Sequence, residues 1–177
     1  MTKFYLNKNN LIAVNTPLIT EEDAIAVYKT VKSGWISSTG DQINKFESKI
    51  SKFVNRKFAA AVSNGTAALE IAVKSLNLKK GDEVLLPCFT IISCANAIIK
   101  NFLTPVLVES DLNTWNAKIE DIEKKITKKT RAILLPHIYG FPNDMDKIID
   151  ICKKKNLYLI EFIIIECKNH RSDVLIV

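Results

Sequence analysis

Long apolar runs, histidines and paired cysteines are scarce in this chain, and each shortage narrows what it can be. None of its apolar runs approaches the roughly 20 residues that a membrane-spanning helix needs. The opening segment, Met1 to Asn10, has no apolar stretch that could serve as a secretory leader, so a cytoplasmic location and no membrane partner are expected. The cysteines Cys88, Cys94, Cys152 and Cys167 show neither the paired spacing of zinc sites nor the density of a disulfide scaffold, which leaves reduced core residues. Cys167 and His170 lie close together, but two ligands make no site, so no metal is expected. No internal repeat, low-complexity tract or linker divides the sequence.

What remains is ordinary globular material: 177 residues, 47% hydrophobic and 25% charged, enough for one domain with a sizeable core. The net charge of +6 raises the question of nucleic acid, and the placement of the basic residues answers it. Lys153, Lys154 and Lys155 close an amphipathic stretch, where cations complement the negative end of a helix dipole. Lys124, Lys125, Lys128, Lys129 and Arg131 flank a short helix and its following loop, with no aromatic residue among them to stack a base. Solvated helix ends are the expectation, not a nucleic-acid face.

Two helices open the pattern. Thr20 can cap the first, whose opening turn carries Glu21, Glu22 and Asp23, and Gly34 can stop it. The second follows Gly40 with Ile43, Phe46, Ile50 and Phe53 on one face, an amphipathic layer for packing on something larger. From Lys57 onward short apolar strands alternate with helices, the βαβ signature of an α/β fold with a mostly parallel sheet and helices on both faces. Strands are expected near Phe58–Val62, Glu83–Leu86, Pro105–Val108, Ala132–Leu135 and Leu157–Ile160. Helices are expected near Thr66–Leu76, Thr90–Lys100, Ile119–Ile126 and Asn143–Lys155, the last burying Met145, Ile148, Ile149 and Cys152.

Ligands of such sheets bind beyond the carboxyl ends of the strands, so the turns there carry the candidates. In the first, Ser63 to Ala67, Gly65 permits a tight turn, free amides at the helix start can point at a phosphate, and the Thr66 hydroxyl adds a donor; a capped turn that binds nothing is the alternative. In the second, Pro87 to Ser93, Phe89 can cover a planar ligand or simply join the core. In the third, Pro136 to Pro142, His137 can be an acid, a base, a pocket wall or a structural side chain.

In order and spacing, Trp35–Gly40, Ser63–Leu69, Gly81–Val84 with Pro87, and His137–Gly140 with Asp144, Met145 and Asp146 resemble the DegT/DnrJ/EryC1/StrS family of pyridoxal-phosphate sugar aminotransferases. The likeness runs from about Ile12 to Glu161. It implies the large domain of fold type I pyridoxal-phosphate transferases, truncated here: residues 1–161 would be a partial domain with an N-terminal helical layer, and 162–177 a tail outside the family pattern. It also implies a homodimer and transfer of an amino group, usually from glutamate, to a nucleotide-linked 4-keto-6-deoxy sugar. Gly65, Thr66 and Ala67 match the family turn that holds the cofactor phosphate. Trp35, Ser37 and Ser38, with His137, match the substrate side.

Three departures accompany the resemblance. Ile91 stands where the family has an aromatic residue that stacks on the cofactor ring, keeping apolar contact without a flat face. Phe162 stands where the family has the aspartate beneath the pyridine nitrogen. The aldimine-forming lysine of the family lies beyond Val177, and Lys168 comes too soon after Glu161 to replace it. A frameshift or early stop near residue 161 and a poorly soluble or dimer-dependent chain without transaminase activity are therefore expected. The alternative is an interaction module that pairs with a full-length homologue or a complementary fragment.

Overall fold

The computed structural model describes residues 18–163 and, for the backbone alone, 175–176. Cys167, Lys168 and His170, weighed above, lie outside the described residues. The chain divides into two compact units, one ending at Lys45 and one starting at Phe46.

The first unit holds α1 (Glu21–Lys32) and the start of α2 (Asp41–Phe53). Thr20 and Asp23 form a reciprocal capping box: the Thr20 hydroxyl accepts from the Asp23 N–H at 3.3 Å, and the Asp23 carboxylate accepts from the Thr20 N–H at 2.8 Å. Ser33 caps the other end, followed by Gly34 at φ +77°, a left-handed stop that glycine adopts without a Cβ penalty. Neither α1 nor α2 has a buried residue. The expected apolar face of α2 exists, but Phe46, Ile50 and Phe53 on it are exposed.

The second unit contains α3 (Gly65–Ser75), β1 (Glu83–Pro87), α4 (Ile92–Lys100), β2 (Thr104–Val108), α5 (Ile119–Lys125), β3 (Thr130–His137), α6 (Met145–Lys155), β4 (Tyr158–Ile163) and β5 (Leu175–Ile176). The strands form one parallel sheet in the order β2-β1-β3-β4-β5. Alternation along the strands sorts side chains between two layers. Val84, Leu86, Ala132, Leu134, Ile160 and Phe162 pack with α3 and α4, through residues such as Leu69, Val73 and Ile98. Leu85, Ile133, Leu135 and Leu159 pack with α5 and α6, through Ile122, Ile148 and Cys152. Each fully buried leucine or isoleucine contributes about 1.5–3 kcal/mol of transfer free energy, so these two layers hold the unit together.

Four of the five expected strands are present: β1 and β2 are longer by one residue, β3 by two at each end, and β4 starts one residue later and ends three later. The exception is Phe58–Val62, which is not a strand. Three consecutive alanines give it little β-propensity, its Ala61 N–H donates to Glu47 Oε1 at 2.8 Å instead of to a neighbouring strand, and Phe58 is exposed. The other difference lies at β4, which runs on through Phe162 to Ile163 and is joined at its edge by Leu175 and Ile176 from the segment expected to stand outside the fold. The basic residues around α5 are partly engaged locally: Lys125 bonds Asp121 and the Leu107 carbonyl, and Arg131 bonds the carbonyls of Lys128 and Thr130.

Candidate functional site

β1 sits between β2 and β3, and this order positions the site. The chain leaves β1 toward β2 on one side and reaches β3 on the other, so its direction reverses at β1 and a crevice opens beyond the carboxyl ends of the strands. α4 follows β1 directly and begins at that edge. α3 packs against α4 and β4.

The starts of α3 and α4 meet there. Asn64 caps α3, its Oδ1 accepting from the Ala67 N–H at 2.9 Å. The hydroxyl of Thr66, in the first turn of α3, lies 3.2 Å from the hydroxyl of Ser93, in the first turn of α4. Two positive helix ends and two hydroxyls thus share one exposed spot, an arrangement suited to a phosphate group. Gly65 works differently from the tight-turn role expected of it. It is the first residue of α3 with no positive φ, and a Cβ there would come within 3.5 Å of the Phe162 ring. A Cβ would make only ordinary van der Waals contact there, so neither a turn nor a close approach demands glycine at this position.

Ile91 is the N-cap of α4, offers no side-chain cap and is 37% exposed, so an apolar surface borders the hydroxyl pair. Phe89 packs edge-on against Trp115, with ring centroids 5.1 Å apart. The nearby thiol of Cys94 is pushed up by burial, an effect the Thr90 hydroxyl only partly opposes, so it stays protonated and is no nucleophile.

His137, at the end of β3, is buried with both ring nitrogens engaged. The Asn143 N–H donates to Nδ1 at 3.2 Å, which puts the proton of the neutral ring on Nε2, 3.4 Å from Glu161 Oε2. The Asn143 side chain donates to the Pro136 carbonyl at 3.0 Å and accepts from the Ala117 N–H at 3.0 Å. The structural alternative among those weighed for His137 describes this geometry: the ring ties two strand ends to the loop before α6.

Glu161 and Phe162 are neighbours in sequence that serve opposite faces. Glu161 stands beside Leu135 in the register and faces the α5/α6 layer. Phe162 faces the α3/α4 layer, is 8% exposed, and reaches Gly65 with the far edge of its ring. Successive residues of a strand point to opposite faces, so the Glu161 carboxylate cannot serve the face that Phe162 occupies.

Trp35, Ser37 and Ser38 belong to the first unit. Trp35 is exposed, the Ser37 hydroxyl pairs with that of Thr39 at 2.9 Å, and Gly40 is required because a Cβ there would stand 3.0 Å from the Trp35 carbonyl oxygen. Trp35 and Thr39 line an open groove with Lys29, Asp41 and Lys45. Of the candidates, Gly65, Thr66 and Ala67 are brought together with Ile91 bordering α4. Ser93, Asn64 and Asn143 are additions: serine at a helix start and asparagine before one are readable signals, whereas the tertiary bonds of Asn143 leave no mark in the sequence.

These residues fit the implied cofactor at one end only. The hydroxyl pair and helix starts suit its phosphate. At the ring end, Phe162 offers a hydrocarbon edge where the resemblance implies an acid, and no carboxylate from β4 reaches that face. No chemical step through the ring is supported by this arrangement.

The family model described as the DegT/DnrJ/EryC1/StrS aminotransferase family matches residues 17–162. Among curated proteins, a GDP-perosamine synthase of Escherichia coli O157:H7 is 43% identical over 150 residues, covering 85% of this chain and 41% of that protein. A dTDP-3-amino-3,6-dideoxy-alpha-D-galactopyranose transaminase of Aneurinibacillus thermoaerophilus is 40% identical over 136 residues, covering 77% of this chain and 37% of that protein. Among solved structures, an aminotransferase from Psychrobacter cryohalolentis superposes with a TM-score of 0.79 at 34% identity, over 82% of this chain and 37% of that one. A sugar aminotransferase of Streptococcus pneumoniae in its PLP form gives 0.77 at 27% identity, over 82% and 41%. The chain thus spans about two fifths of the length of these relatives. Sheet order, crevice and matched residues agree that the chain belongs to the DegT/DnrJ/EryC1/StrS aminotransferase family.

Proposed function

We propose that this chain is the cofactor-phosphate portion of a pyridoxal-phosphate aminotransferase of nucleotide-linked 4-keto-6-deoxy sugars, and that it does not transaminate by itself. The pairing of the Thr66 and Ser93 hydroxyls at two helix starts carries the reading. When bound, the cofactor would supply an electrophilic carbonyl and a ring that stores electrons. Gly65, Thr66, Ala67 and Ser93 would hold its phosphate, with the apolar side chain of Ile91 bordering that cradle. The Trp35–Ser38 segment would meet the nucleotide sugar, with glutamate as amino donor, in a cytoplasmic homodimer. Lack of turnover is argued from Phe162, since the ring nitrogen would have no acid to keep it protonated.

Phosphate binding tests the cradle. Inorganic phosphate should bind the purified chain, and the Thr66→Val/Ser93→Ala double variant should bind it at least fivefold more weakly with an unchanged circular dichroism spectrum. Equal binding by both proteins would refute the cradle. Transfer of amino nitrogen from glutamate to a nucleotide-linked keto sugar by the purified chain would refute the claim of inactivity.

A second reading, a non-catalytic module that pairs with a full-length homologue or complementary fragment, is favoured by the exposed Phe46, Ile50 and Phe53 on α2. Co-purification of such a partner, lost in Phe46→Ser/Phe53→Ser, would support it; a clean monomer in the partner's presence would count against it.

A further inference from the structure

We infer that Phe162 is a selectivity plug: the α3/α4 cradle takes the phosphate of an ester but has no seat for a flat aromatic ring attached to it, so a ring adds no affinity. The inference rests on the cradle reading above and adds which part of a ligand the cradle seats. Its basis is the path a ring would have to take. A ring hanging from a phosphate at Gly65–Ala67 and lying over the end of β4 must occupy the space between the start of α3 and that strand end. The Phe162 side chain spans that interval: it leaves β4 on the α3/α4 face, is 8% exposed, and puts Cε2 and Cζ 3.5 Å from where a Cβ on Gly65 would stand. The ring belongs to the same buried layer as Leu69, Leu134 and Ile160, so moving it aside would open a void in the core. The phosphate side has no such obstruction, since Thr66 is exposed. A close-packed aromatic ring therefore fills the place of a ligand's ring without touching the place of its phosphate.

The test compares two phosphate esters on the intact chain. Pyridoxine 5′-phosphate carries the aromatic ring but no aldehyde, which avoids adducts with the many surface lysines; glycerol 3-phosphate carries the same phosphate without a ring. Dissociation constants are measured for the wild type, Phe162→Ala and Phe162→Leu, with folding checked by circular dichroism. In the wild type the ring-bearing ester should bind no more than threefold tighter than glycerol 3-phosphate. In Phe162→Ala it should bind at least tenfold tighter, with an intermediate gain in Phe162→Leu and an unchanged constant for glycerol 3-phosphate. A tenfold preference for the ring already present in the wild type would overturn the inference, as would a folded alanine or leucine variant without gain. Should neither variant fold, the two wild-type constants still decide. If the wild type binds neither ester, the cradle reading itself fails and the plug falls with it; if both bind with a strong ring preference, only the plug fails.

Discussion

Replacing Asn143 with alanine should be among the most damaging single changes outside the hydrophobic layers. The side chain is buried and serves two backbone groups at once, accepting from the Ala117 N–H and donating to the Pro136 carbonyl, each at 3.0 Å. Pro136 and Ala117 are buried too, so water has little access to the groups left behind. A buried polar group stripped of its partner costs about 1–3 kcal/mol, which puts the loss for the pair at about 2–6 kcal/mol. Domains of this size hold about 5–15 kcal/mol in total, so a third of the margin is at stake. With a urea dependence of about 1–3 kcal/mol per molar, the midpoint should fall by about 1–2 M in urea unfolding followed by far-ultraviolet circular dichroism. Asn96→Ala, at an exposed position on α4, should stay within about 0.5 kcal/mol of the wild type. A midpoint for Asn143→Ala equal to that of the Asn96 control would refute the reasoning that this network organises the end of β3.

The remaining expectations concern packing, pH and thiols. Leu134→Ala, in the α3/α4 layer, should cost about 2–5 kcal/mol in the same unfolding experiment, whereas Leu112→Ala, at a position 91% exposed, should cost little. The Asp121 carboxyl is held below the ordinary range, first by the Lys125 ammonium and then by the Glu109 N–H. Its stabilising contribution should be complete above the ordinary aspartate value of about pH 4 and fade as pH falls through the lowered one. The stability gap between wild type and Asp121→Asn should therefore shrink on acidification; a gap constant with pH would contradict this assignment. The Cys152 thiol is pushed up to about 12 by burial and Cys94 is raised in the same way, while Cys88 is exposed. Mass spectrometry of the folded chain after brief iodoacetamide treatment near pH 8 should find Cys88 modified well ahead of those two.

The helices and central strands were legible because their signals are local. Thr20 with Asp23, the apolar positions of α6 and the short apolar runs of β1 and β3 each declare one element over a few residues, and each element formed near where it was expected. The Phe58–Val62 segment failed because a strand needs a partner as well as apolar content, and that requirement is not local. At the site, the Gly65–Ala67 turn was legible from glycine and threonine after an apolar run, but its pairing with Ser93 joins residues far apart in sequence and is a property of the fold. The position of Phe162 was visible as a departure from a family pattern. That its ring reaches Gly65, while Glu161 turns to the other face and toward His137, required the sheet register.

The most direct test of the account is backbone amide shift mapping of the isotope-labelled chain during titration with inorganic phosphate. The account predicts saturable shifts at Gly65, Thr66, Ala67 and Ser93. Shifts confined to lysine-rich helix ends such as Lys153–Lys155, with nothing at the start of α3, would contradict it.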